Sequence, residues 1–506
     1  MPRFGEVRYR PSILELLIVS IPPMTTPSPR PPSGLLTGRV ARSFFALATG
    51  ELMSRLVAMG ALMYLTRVLG PAKMGTLGFT TAVCTYLALA VHSGFGDVGT
   101  RAVARRPADV ARITASGTMV RVLIALPSFC FIVVVAQALE DTGPILVLTG
   151  LSFFSLALDP SWALKGVERN RPVGQALILK QSIYVVLVLT LVGGPEEISR
   201  VPICLFVADL AVSIWLQIII MKGKNEALTF GDGLTILRES APVMVSKISR
   251  HLIMTFDVIL LGVLLKGETA DRDLGLYTVP YSIAFMVMSL SVVLHDSYRP
   301  AFVRAMERGK KDLHQVCTRA FASAAAVGAP VTVGGILVAG HMIGLIMGEE
   351  FLPGTAPFRL ILASVGLLFL NGVLHNVFVA ADRLRQETVV QVSAAIVNIG
   401  LNLILIPRYG LMGAASATLA AEAFSLSYGF LILWRRGLLD GARAILRPLL
   451  AAGIMGAVVY LVGHDQSLLI TIPVGVVVYA LALILLRGVP EDAGNAWGRR
   501  IRSGPS

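Results

Sequence analysis

The sequence predicts an all-α polytopic membrane protein with about 14 transmembrane helices, and three observations lead to this fold class. Of the 506 residues, 55% are hydrophobic, and the mean hydropathy is +0.74. Only 15% are charged, against roughly 25% in an ordinary soluble domain. Uncharged stretches such as Ala320–Gly348 and Leu360–Ala381 exceed the roughly 20 apolar residues that cross the hydrocarbon core of a bilayer. These features exclude a soluble multidomain enzyme of this length.

The apolar pattern divides the chain into spanning segments separated by short polar connections. The longest of these connections is too short to hold an extramembrane catalytic domain. The predicted segments are, in order, 40–65, 74–98, 115–138, 144–164, 173–193, 201–221, 240–265, 274–296, 318–346, 357–381, 388–406, 411–434, 447–463 and 467–487.

Basic residues alternate between the connections in a way that predicts the orientation. The connections on one side carry 22 Lys and Arg residues and those on the other side carry 7. Since cytoplasmic loops are enriched in Lys and Arg, we expect both termini in the cytoplasm. The same asymmetry accounts for the net charge of +13, so no nucleic-acid partner is expected.

The segments group into two bundles of six helices with two additional helices at the C-terminal end. Met74-Gly75 and Leu274-Gly275 open the second helix of each bundle in a similar sequence context. Six intervening helices imply parallel repeats about an axis along the membrane normal, with a site between them near the midplane. The predicted organisation is a disordered cytoplasmic tail (1–37), a six-helix bundle (38–222), a cytoplasmic linker (223–239), a six-helix bundle (240–435), two additional helices (436–488) and a cytoplasmic tail (489–506).

Ten charged residues are expected near mid-bilayer inside the predicted spans, where each costs about 2.5–3.5 kcal/mol on insertion scales. Glu51 and Arg55 are one turn apart on one face of the first helix. On the seventh helix, Lys247, Arg250 and Asp257 lie within an arc of roughly 80°. Either these charges pair internally and pack helices together, or they line a polar cavity that prefers anions. The remaining five are Arg121, Lys180, Asp159, Asp209 and Glu422.

Other polar residues indicate no catalytic chemistry. The four cysteines and the isolated histidines, His375 among them, show no metal-like spacing, and no nucleotide-binding loop or Ser/His/Asp arrangement is present. Asn398 and Asn402 are read as packing groups between helices. We therefore expect no enzyme activity, no metal site and no cofactor.

Four segments of the chain resemble the O-antigen and polysaccharide (Wzx-type) flippases of the multidrug/oligosaccharidyl-lipid/polysaccharide exporter superfamily. The resemblance covers about residues 38–435. Its most specific part is the longest segment, which follows the family pattern VNIxLNxxLIPxYGxxGAAxAT. The segments are Leu69–Gly75 (LGPAKMG), Trp162–Arg169 (WALKGVER), Gly348–Phe351 (GEEF) and Val397–Thr418 (VNIGLNLILIPRYGLMGAASAT).

The resemblance implies two six-helix bundles, alternating access, and transport of an undecaprenyl-pyrophosphate-linked oligosaccharide across the cytoplasmic membrane. It also implies polysaccharide polymerase or export machinery as partners. Because arginine offers a planar, permanently charged fork to phosphate oxygens, we expect Arg55, Lys247 and Arg250 to hold the pyrophosphate. Further candidates are Arg121 and Lys180 for the substrate, and Glu51 and Asp257 for a coupling ion.

The sequence is compatible with three other functions. A lipid-linked peptidoglycan precursor flippase shares the lipid diphosphate chemistry. A cation-coupled multidrug exporter shares the fold but calls for an acidic, aromatic cavity instead of basic helix faces. A membrane polysaccharide polymerase or ligase is disfavoured because no long outer loop is present.

Overall fold

The computed structural model describes residues 38–92, 94–222, 230–265, 267, 269–439, 442–463 and 468–488. The chain forms two compact units, Met1–Arg42 and Ser43–Ser506, and the architecture below is that of the second unit. The predicted tails at 1–37 and 489–506 lie outside the described residues, as do residues 223–229 of the predicted linker at 223–239.

The described residues fold almost entirely into helices. Short 3-10 or π turns lie at Phe95–Gly99, Pro107–Asp109, Pro195–Glu197, Glu349–Gly354 and Ala442–Ile445. The α-helices are α1 (Gly38–His92), α2 (Thr100–Arg105), α3 (Val110–Ala136), α4 (Gly143–Gly150), α5 (Ser152–Leu158), α6 (Ser161–Gly166), α7 (Asn170–Leu191), α8 (Arg200–Met221), α9 (Gly231–Leu264), α10 (Ala270–Arg308), α11 (Lys310–Ile346), α12 (Thr355–Ala380), α13 (Leu384–Arg435), α14 (Leu446–Gly463) and α15 (Leu468–Leu485).

The helices confirm an all-α multi-pass membrane protein. Among the described residues, 11 helical segments are long and apolar enough to cross a membrane. Two of them, within α1 and α13, contain a non-helical residue, Gly70 or Gly410. The 55 residues of α1 would extend roughly 80 Å as a straight helix, so α1 spans the bilayer as two arms. In α9, the described residues Thr255–Leu264 form a shorter apolar helical stretch, and the count of fourteen stays a prediction.

The two kinks occupy turns that the sequence places between separate helices. Gly70 has φ 69° and ψ 175°, and Gly410 has φ 53° and ψ −127°. Positive φ is readily adopted only by glycine, which explains the residue type at each kink. The expected boundaries at 65–74 and 406–411 are therefore sharper than predicted, with helix continuing on both sides of one glycine.

The fourth predicted span, 144–164, matches the apolar helical segment Gly143–Gly166, but this segment is not a continuous helix. It consists of α4, α5 and α6, and Asp159 between α5 and α6 is extended, with φ −69° and ψ 113°. Pro160 explains this break, because proline disfavours helical geometry in the residue before it and cannot donate a backbone hydrogen bond.

The N-terminal half (38–222) and the C-terminal half (230–488) meet tightly at the ends of their helices near Gly70. A Cβ atom added to Gly75 would overlap the carbonyl oxygen of Asp271, and one added to Gly275 would overlap that of Pro71. A Cβ atom added to Gly78 would lie 2.6 Å from the side-chain hydroxyl of Thr278. This reciprocal contact, called here the closed end, has the form that a twofold axis along the membrane normal produces.

Helix α9 begins earlier than the predicted segment 240–265 and joins the two halves. Near its start, Asp232 forms ion pairs with Arg106 at 3.0 Å and with Arg112 at 3.3 Å. Near its end, Asp257 accepts a hydrogen bond from Thr418 of α13. The part of the predicted linker from residue 231 onward is thus helical and continuous with the seventh span.

The two additional helices pack on the outside of the C-terminal half. Tyr479 of α15 donates a hydrogen bond to the carbonyl of Ala326 in α11, at 2.9 Å. Ala329 of α11 belongs to one hydrophobic cluster with Ala451, Met455 and Val459 of α14. These helices therefore enlarge one half without contributing to the contact between the halves described above.

Candidate functional site

Arg55 of α1 contacts the other half of the protein through Ser289 of α10. Its Nη1 atom donates a hydrogen bond to the Ser289 hydroxyl at 2.5 Å. Glu51, one turn earlier, accepts from the same guanidinium at 2.9 and 3.1 Å. The side chains of Arg55 and Glu51 are 35% and 50% exposed. The pair therefore lies at the boundary between the halves, with guanidinium surface still accessible.

The depth of Arg55 follows from its distance along α1. It precedes Gly70 by 15 residues, or roughly 22 Å of helix, so it lies well inside the bilayer and far from the closed end. Twenty residues before Gly70, a Cβ added to Gly50 would lie 2.6 Å from the Cα of Gly174 in α7. Tyr64 of α1 donates a hydrogen bond to the carbonyl of Val192, just after α7, so α1 and α7 lie side by side and run in the same direction. Arg55 and Lys180 follow the two glycines by 5 and 6 residues and therefore lie at similar depth.

Lys247 and Arg250, the other two predicted phosphate ligands, are in α9. Their backbone is helical, but their side chains lie outside the described residues. Their part in the site stays a prediction.

Arg121 of α3 is only 1% exposed and fixes the broken helix α4–α6. Its guanidinium donates to the backbone carbonyls of Asp159 at 2.7 Å, Leu156, and Val91 at 3.3 Å. Carbonyls freed by a proline break in a membrane helix need a new donor. Each of the three guanidinium nitrogens donates to a backbone carbonyl. This geometry favours a structural role for Arg121 over the expected contact with a substrate.

Lys180 lies in a separate polar cavity inside the N-terminal half. Its Nζ atom is 2.6 Å from a carboxylate oxygen of Asp209 in α8. The cavity has a volume of about 270 Å³ and is lined by α5 to α8. Four serines, among them Ser155 and Ser213, share the lining with Asp159 and Lys165. Among the described side chains, no hydrogen bond or ion pair joins Lys180 to Arg55.

Asp257 of α9 is 1% exposed and has neutral partners among the described residues. One carboxylate oxygen accepts from the backbone N–H of Val258 at 2.8 Å. The other accepts from the hydroxyls of Tyr277 at 2.5 Å and Thr418 at 3.4 Å. The internal ion pair considered for this residue is therefore absent among the described side chains, and Asp257 sits in a cluster of hydroxyls.

Several polar residues of the C-terminal half escaped the sequence analysis as site residues. Glu422 accepts from the side-chain amide of Asn371 at 2.7 Å. His375, expected to be isolated, is hydrogen-bonded through Nδ1 to Glu387. The signal was available in the spacing: Asn371 and His375 are one turn apart on α12. Their partners on α13 could not be inferred without the packing of the two helices.

The asparagines of α13 and the acidic groups offer no metal site in the described part of the chain. Asn402 donates to Asn398 at 3.0 Å, and both are buried. No group of three or more His, Cys, Asp or Glu residues with the geometry of a metal site occurs among the described residues.

Comparisons with known proteins place this arrangement in a family. The sequence profile described as "Polysaccharide biosynthesis protein" matches residues 40–306, just over half of the chain. The chain belongs to this polysaccharide biosynthesis protein family. No curated protein matches it in sequence.

Solved structures show that this member of the polysaccharide biosynthesis protein family has the fold of the MOP superfamily. It resembles the lipid II flippase MurJ in an inward closed conformation, with a TM-score of 0.71 and 13% identity over 87% of this chain and 98% of that chain. An inward-facing MATE multidrug resistance transporter gives a TM-score of 0.61 and 13% identity, over 78% and 98%. A MOP superfamily transporter from Pyrococcus furiosus, described as having a binding pocket of reverse polarity, gives a TM-score of 0.52 and 14% identity, over 79% of this chain and 94% of that chain.

These identities establish a shared fold and do not identify a ligand. Within the polysaccharide biosynthesis protein family fold, the structure separates the predicted site residues into three places. Glu51 and Arg55 lie between the halves, Lys180 lies inside the N-terminal half, and Asp257 lies inside the C-terminal half.

Proposed function

We propose that this protein flips an undecaprenyl-pyrophosphate-linked oligosaccharide from the inner to the outer leaflet of the cytoplasmic membrane. The observation that carries the proposal is the contact of Arg55 with Ser289 across the two halves. A bare diphosphate cannot enter hydrocarbon, because burying an unpaired anion costs tens of kcal/mol by Born estimates. A guanidinium at this boundary, deep in the bilayer, supplies the counter-charge at the place where alternating access exposes a site to each side in turn.

Glu51 competes with a bound phosphate group for the guanidinium of Arg55, and this competition gives the site a means of releasing the diphosphate. It holds the guanidinium of Arg55 through two hydrogen bonds to one oxygen, and a phosphate group would compete for the same donors. A cation bound to Glu51 weakens its hold on Arg55 and frees the guanidinium for the diphosphate. In this proposal Lys247 and Arg250 complete the phosphate site, Asp257 binds a coupling ion, and the lipid tail stays in the bilayer.

The closed end supports the direction of transport. If both termini lie in the cytoplasm, the contact around Gly75 and Gly275 lies on the outer side of Arg55, which favours access to the site from the inner side. The substrate then enters from the cytoplasmic leaflet, where lipid-linked sugars would be loaded, and polysaccharide polymerase or export machinery receives it outside. The chain acts as a transporter and carries out no chemical reaction.

The decisive experiment measures flipping in liposomes that contain the full-length protein and a fluorescent undecaprenyl-pyrophosphate-linked oligosaccharide. Arg55→Ala and Arg250→Ala should each slow flipping at least about tenfold, the loss expected for one charged hydrogen bond. Arg55→Lys should recover only part of the rate, because lysine lacks the planar fork. Arg272→Ala, at an exposed arginine of α10, serves as the matched control. Wild-type flipping in both Arg55→Ala and Arg250→Ala would refute the proposal.

A lipid-linked peptidoglycan precursor is the second candidate substrate, since the fold is shared with MurJ over 98% of that chain. The same liposomes loaded with a fluorescent peptidoglycan precursor discriminate between the two. Faster flipping of the precursor than of the oligosaccharide would favour this second function.

A further inference from the structure

Three helix ends of the C-terminal half meet at the membrane surface opposite the closed end. Helix α10 passes the closed end at Gly275 and ends at Arg308. These positions are 33 residues apart, or roughly 50 Å of helix, which is enough to reach the far surface. Helix α11 starts there at Lys310. The α12–α13 turn and the C-terminal end of α13 share this surface, because α13 runs across the membrane and back around its kink at Gly410.

A glycine turn fixes the C-terminal end of α13. Gly437 has φ 62°, and the N–H groups of Gly437 and Leu438 donate to the carbonyls of Trp434 and Leu433 at 2.9 and 3.1 Å. This pair of bonds is the Schellman arrangement that closes a helix. It turns the chain inward, so that Leu438 is buried. Arg436, directly before the glycine, is therefore held at a defined place on the surface.

The first turns of α11 lie against this end of α13. Nε2 of His314 donates to the carbonyl of Gly437 at 3.1 Å, and the thiol of Cys317 donates to the carbonyl of Leu438 at 3.9 Å. Lys310 lies one turn before His314 on the same face of α11. Its Nζ atom is 3.6 Å from the position of a Cβ atom added to Gly437. An exposed ammonium group thus lies beside the end of α13.

Gln386, in the first turn of α13, holds two guanidinium groups close together. With its amide oriented to suit its neighbours, its side-chain oxygen accepts from Arg383 at 3.3 Å and from Arg436 at 2.8 Å. The two donating nitrogens are therefore at most about 6 Å apart, the length of two hydrogen bonds. The amide oxygen carries no charge, so the two cations repel each other. Each guanidinium also has further N–H donors for a ligand.

No acid compensates this pair in the part of the chain that the structure describes. Neither Arg383 nor Arg436 forms an ion pair with a described carboxylate. The acids nearest in sequence are Glu387, which is hydrogen-bonded to His375, and Asp382, which is exposed. The positive charge of the two guanidinium groups is thus left for an anion from outside the chain.

A pair of arginines in the N-terminal half shows the contrasting arrangement. Arg106 and Arg112 share the carboxylate of Asp232 at 3.0 and 3.3 Å. There the protein supplies its own anion between two guanidinium groups. At Gln386 the corresponding position between two arginines is occupied by a neutral amide, which gathers the cations without neutralising them.

The surroundings of the two arginines favour a phosphate group carried by a lipid. Leu384, next to Arg383, is 53% exposed, and Trp434, two residues before Arg436, is 59% exposed. Tryptophan at the ends of membrane helices lies at the level of the lipid headgroups. Basic pockets between membrane helices bind anionic headgroups, and a guanidinium offers parallel N–H groups to phosphate oxygens. Apolar surface for acyl chains therefore lies next to donors for a phosphate.

We propose that Arg383, Arg436 and Lys310 bind the phosphate group of an anionic phospholipid, and that Gln386 is the positioning residue of this site. The phosphate accepts hydrogen bonds from both guanidinium groups, and the acyl chains lie along Leu384 and Trp434. A bound lipid fastens the start of α11 to both ends of α13. The inference goes beyond the proposed function and does not depend on which substrate is transported.

The test measures quenching of Trp434 fluorescence by lipids with brominated acyl chains, in phosphatidylcholine liposomes that contain the full-length protein. The signal of Trp434 is the difference between the protein and its variant Trp434→Phe. Brominated phosphatidylglycerol should reach half-quenching at a mole fraction at least about fivefold below that of brominated phosphatidylcholine, the scale expected for basic residues beside an anionic headgroup.

Gln386→Glu is the decisive variant, because it places a carboxylate between the two guanidinium groups and keeps the size of the side chain. It should abolish the preference for phosphatidylglycerol while the thermal unfolding temperature in detergent stays equal or rises. The double variant Arg383→Gln/Arg436→Gln should abolish the preference as well. Arg169→Gln, at an exposed arginine between α6 and α7, is the control and should keep it.

Three results would overturn the proposal. The first is equal quenching of the wild type by the two brominated lipids. The second is a wild-type preference in folded Gln386→Glu, or an equal loss of preference in Arg169→Gln, which would indicate diffuse surface charge. The third is loss of the preference when inorganic phosphate is added in excess, which would show that the site takes a soluble anion.

Discussion

Gly75 and Gly275 lie against each other's helices, each beside the carbonyl of the residue four positions before the other. This reciprocity joins the second helix of one half to the second helix of the other. A side chain at either position would separate the backbones. The closed end thus depends on two positions where a hydrogen atom is the largest substituent that fits.

Gly75→Ala and Gly275→Ala should each destabilise the closed end and slow transport. The added methyl would overlap backbone oxygen, which cannot move as a flexible side chain does, so overpacking of about 1–3 kcal/mol is expected. Thermal unfolding of the purified protein and the liposome flipping assay check this. Gly60→Ala is the matched control, since nothing lies within 4 Å of its added Cβ. Equal behaviour of the three variants would contradict the prediction.

Glu51→Gln should raise the affinity of the site for a lipid diphosphate. The variant removes the charge that competes for the guanidinium of Arg55. Because this pair is partly exposed, its contribution is modest, and Kd is expected to fall about two- to fivefold. Binding of undecaprenyl pyrophosphate to the detergent-solubilised protein measures it, with Glu196→Gln as control. The gain should vanish in the double variant Glu51→Gln/Arg55→Ala, and persistence there would show that Arg55 is not the ligand.

Arg121→Met should destabilise the protein without changing its affinity for lipid diphosphate. The variant keeps the apolar bulk but leaves the carbonyls of Leu156 and Asp159 without their donor, at a cost of about 3 kcal/mol or more. A fall in apparent Tm of at least about 5 °C is expected. Arg105→Ala, at an exposed arginine, is the control. Unchanged stability combined with weaker binding would return Arg121 to the substrate site.

The Lys180–Asp209 pair should behave as a coupled unit. Lys180→Met or Asp209→Asn alone leaves one charge in the cavity without its partner. The double variant should therefore be more stable than the sum of the singles predicts, with a coupling of roughly 1–2 kcal/mol. Both side chains are partly exposed, which keeps this below the value for a fully buried pair. Additive losses in thermal stability would show that the two charges do not interact.

The sequence predicted the helices because apolar length is a local property. It also predicted an interruption around Gly70 and Gly410, which lie in motifs with turn-forming residues, although it expected separate helices there and not a kink at one glycine. The broken helix α4–α6 was missed even though Pro160 signals it. Arg121, an arginine in the preceding apolar span, also indicated the break, because the carbonyl groups that a broken helix leaves free need a hydrogen-bond donor.

The site was less predictable because it depends on which helices pack together. The spacing of Glu51 and Arg55 placed them on one helix face and made their pairing one of two alternatives, and the structure shows the pair. Nothing local could indicate that Arg55 reaches Ser289, which is 234 positions away. For the same reason, His375 and Glu422 looked like isolated polar residues until α12 and α13 were seen side by side.

Helix α9 is anchored at both of its ends, to the N-terminal half through Asp232 and to the C-terminal half through Asp257. A rocking motion of one half against the other must therefore bend α9 or break the contact at one of its ends. A hydrocarbon staple that stiffens its middle turns would trap the carrier in a single state while leaving every charged group in place. Such a trapped form would let ligand affinity be measured apart from turnover.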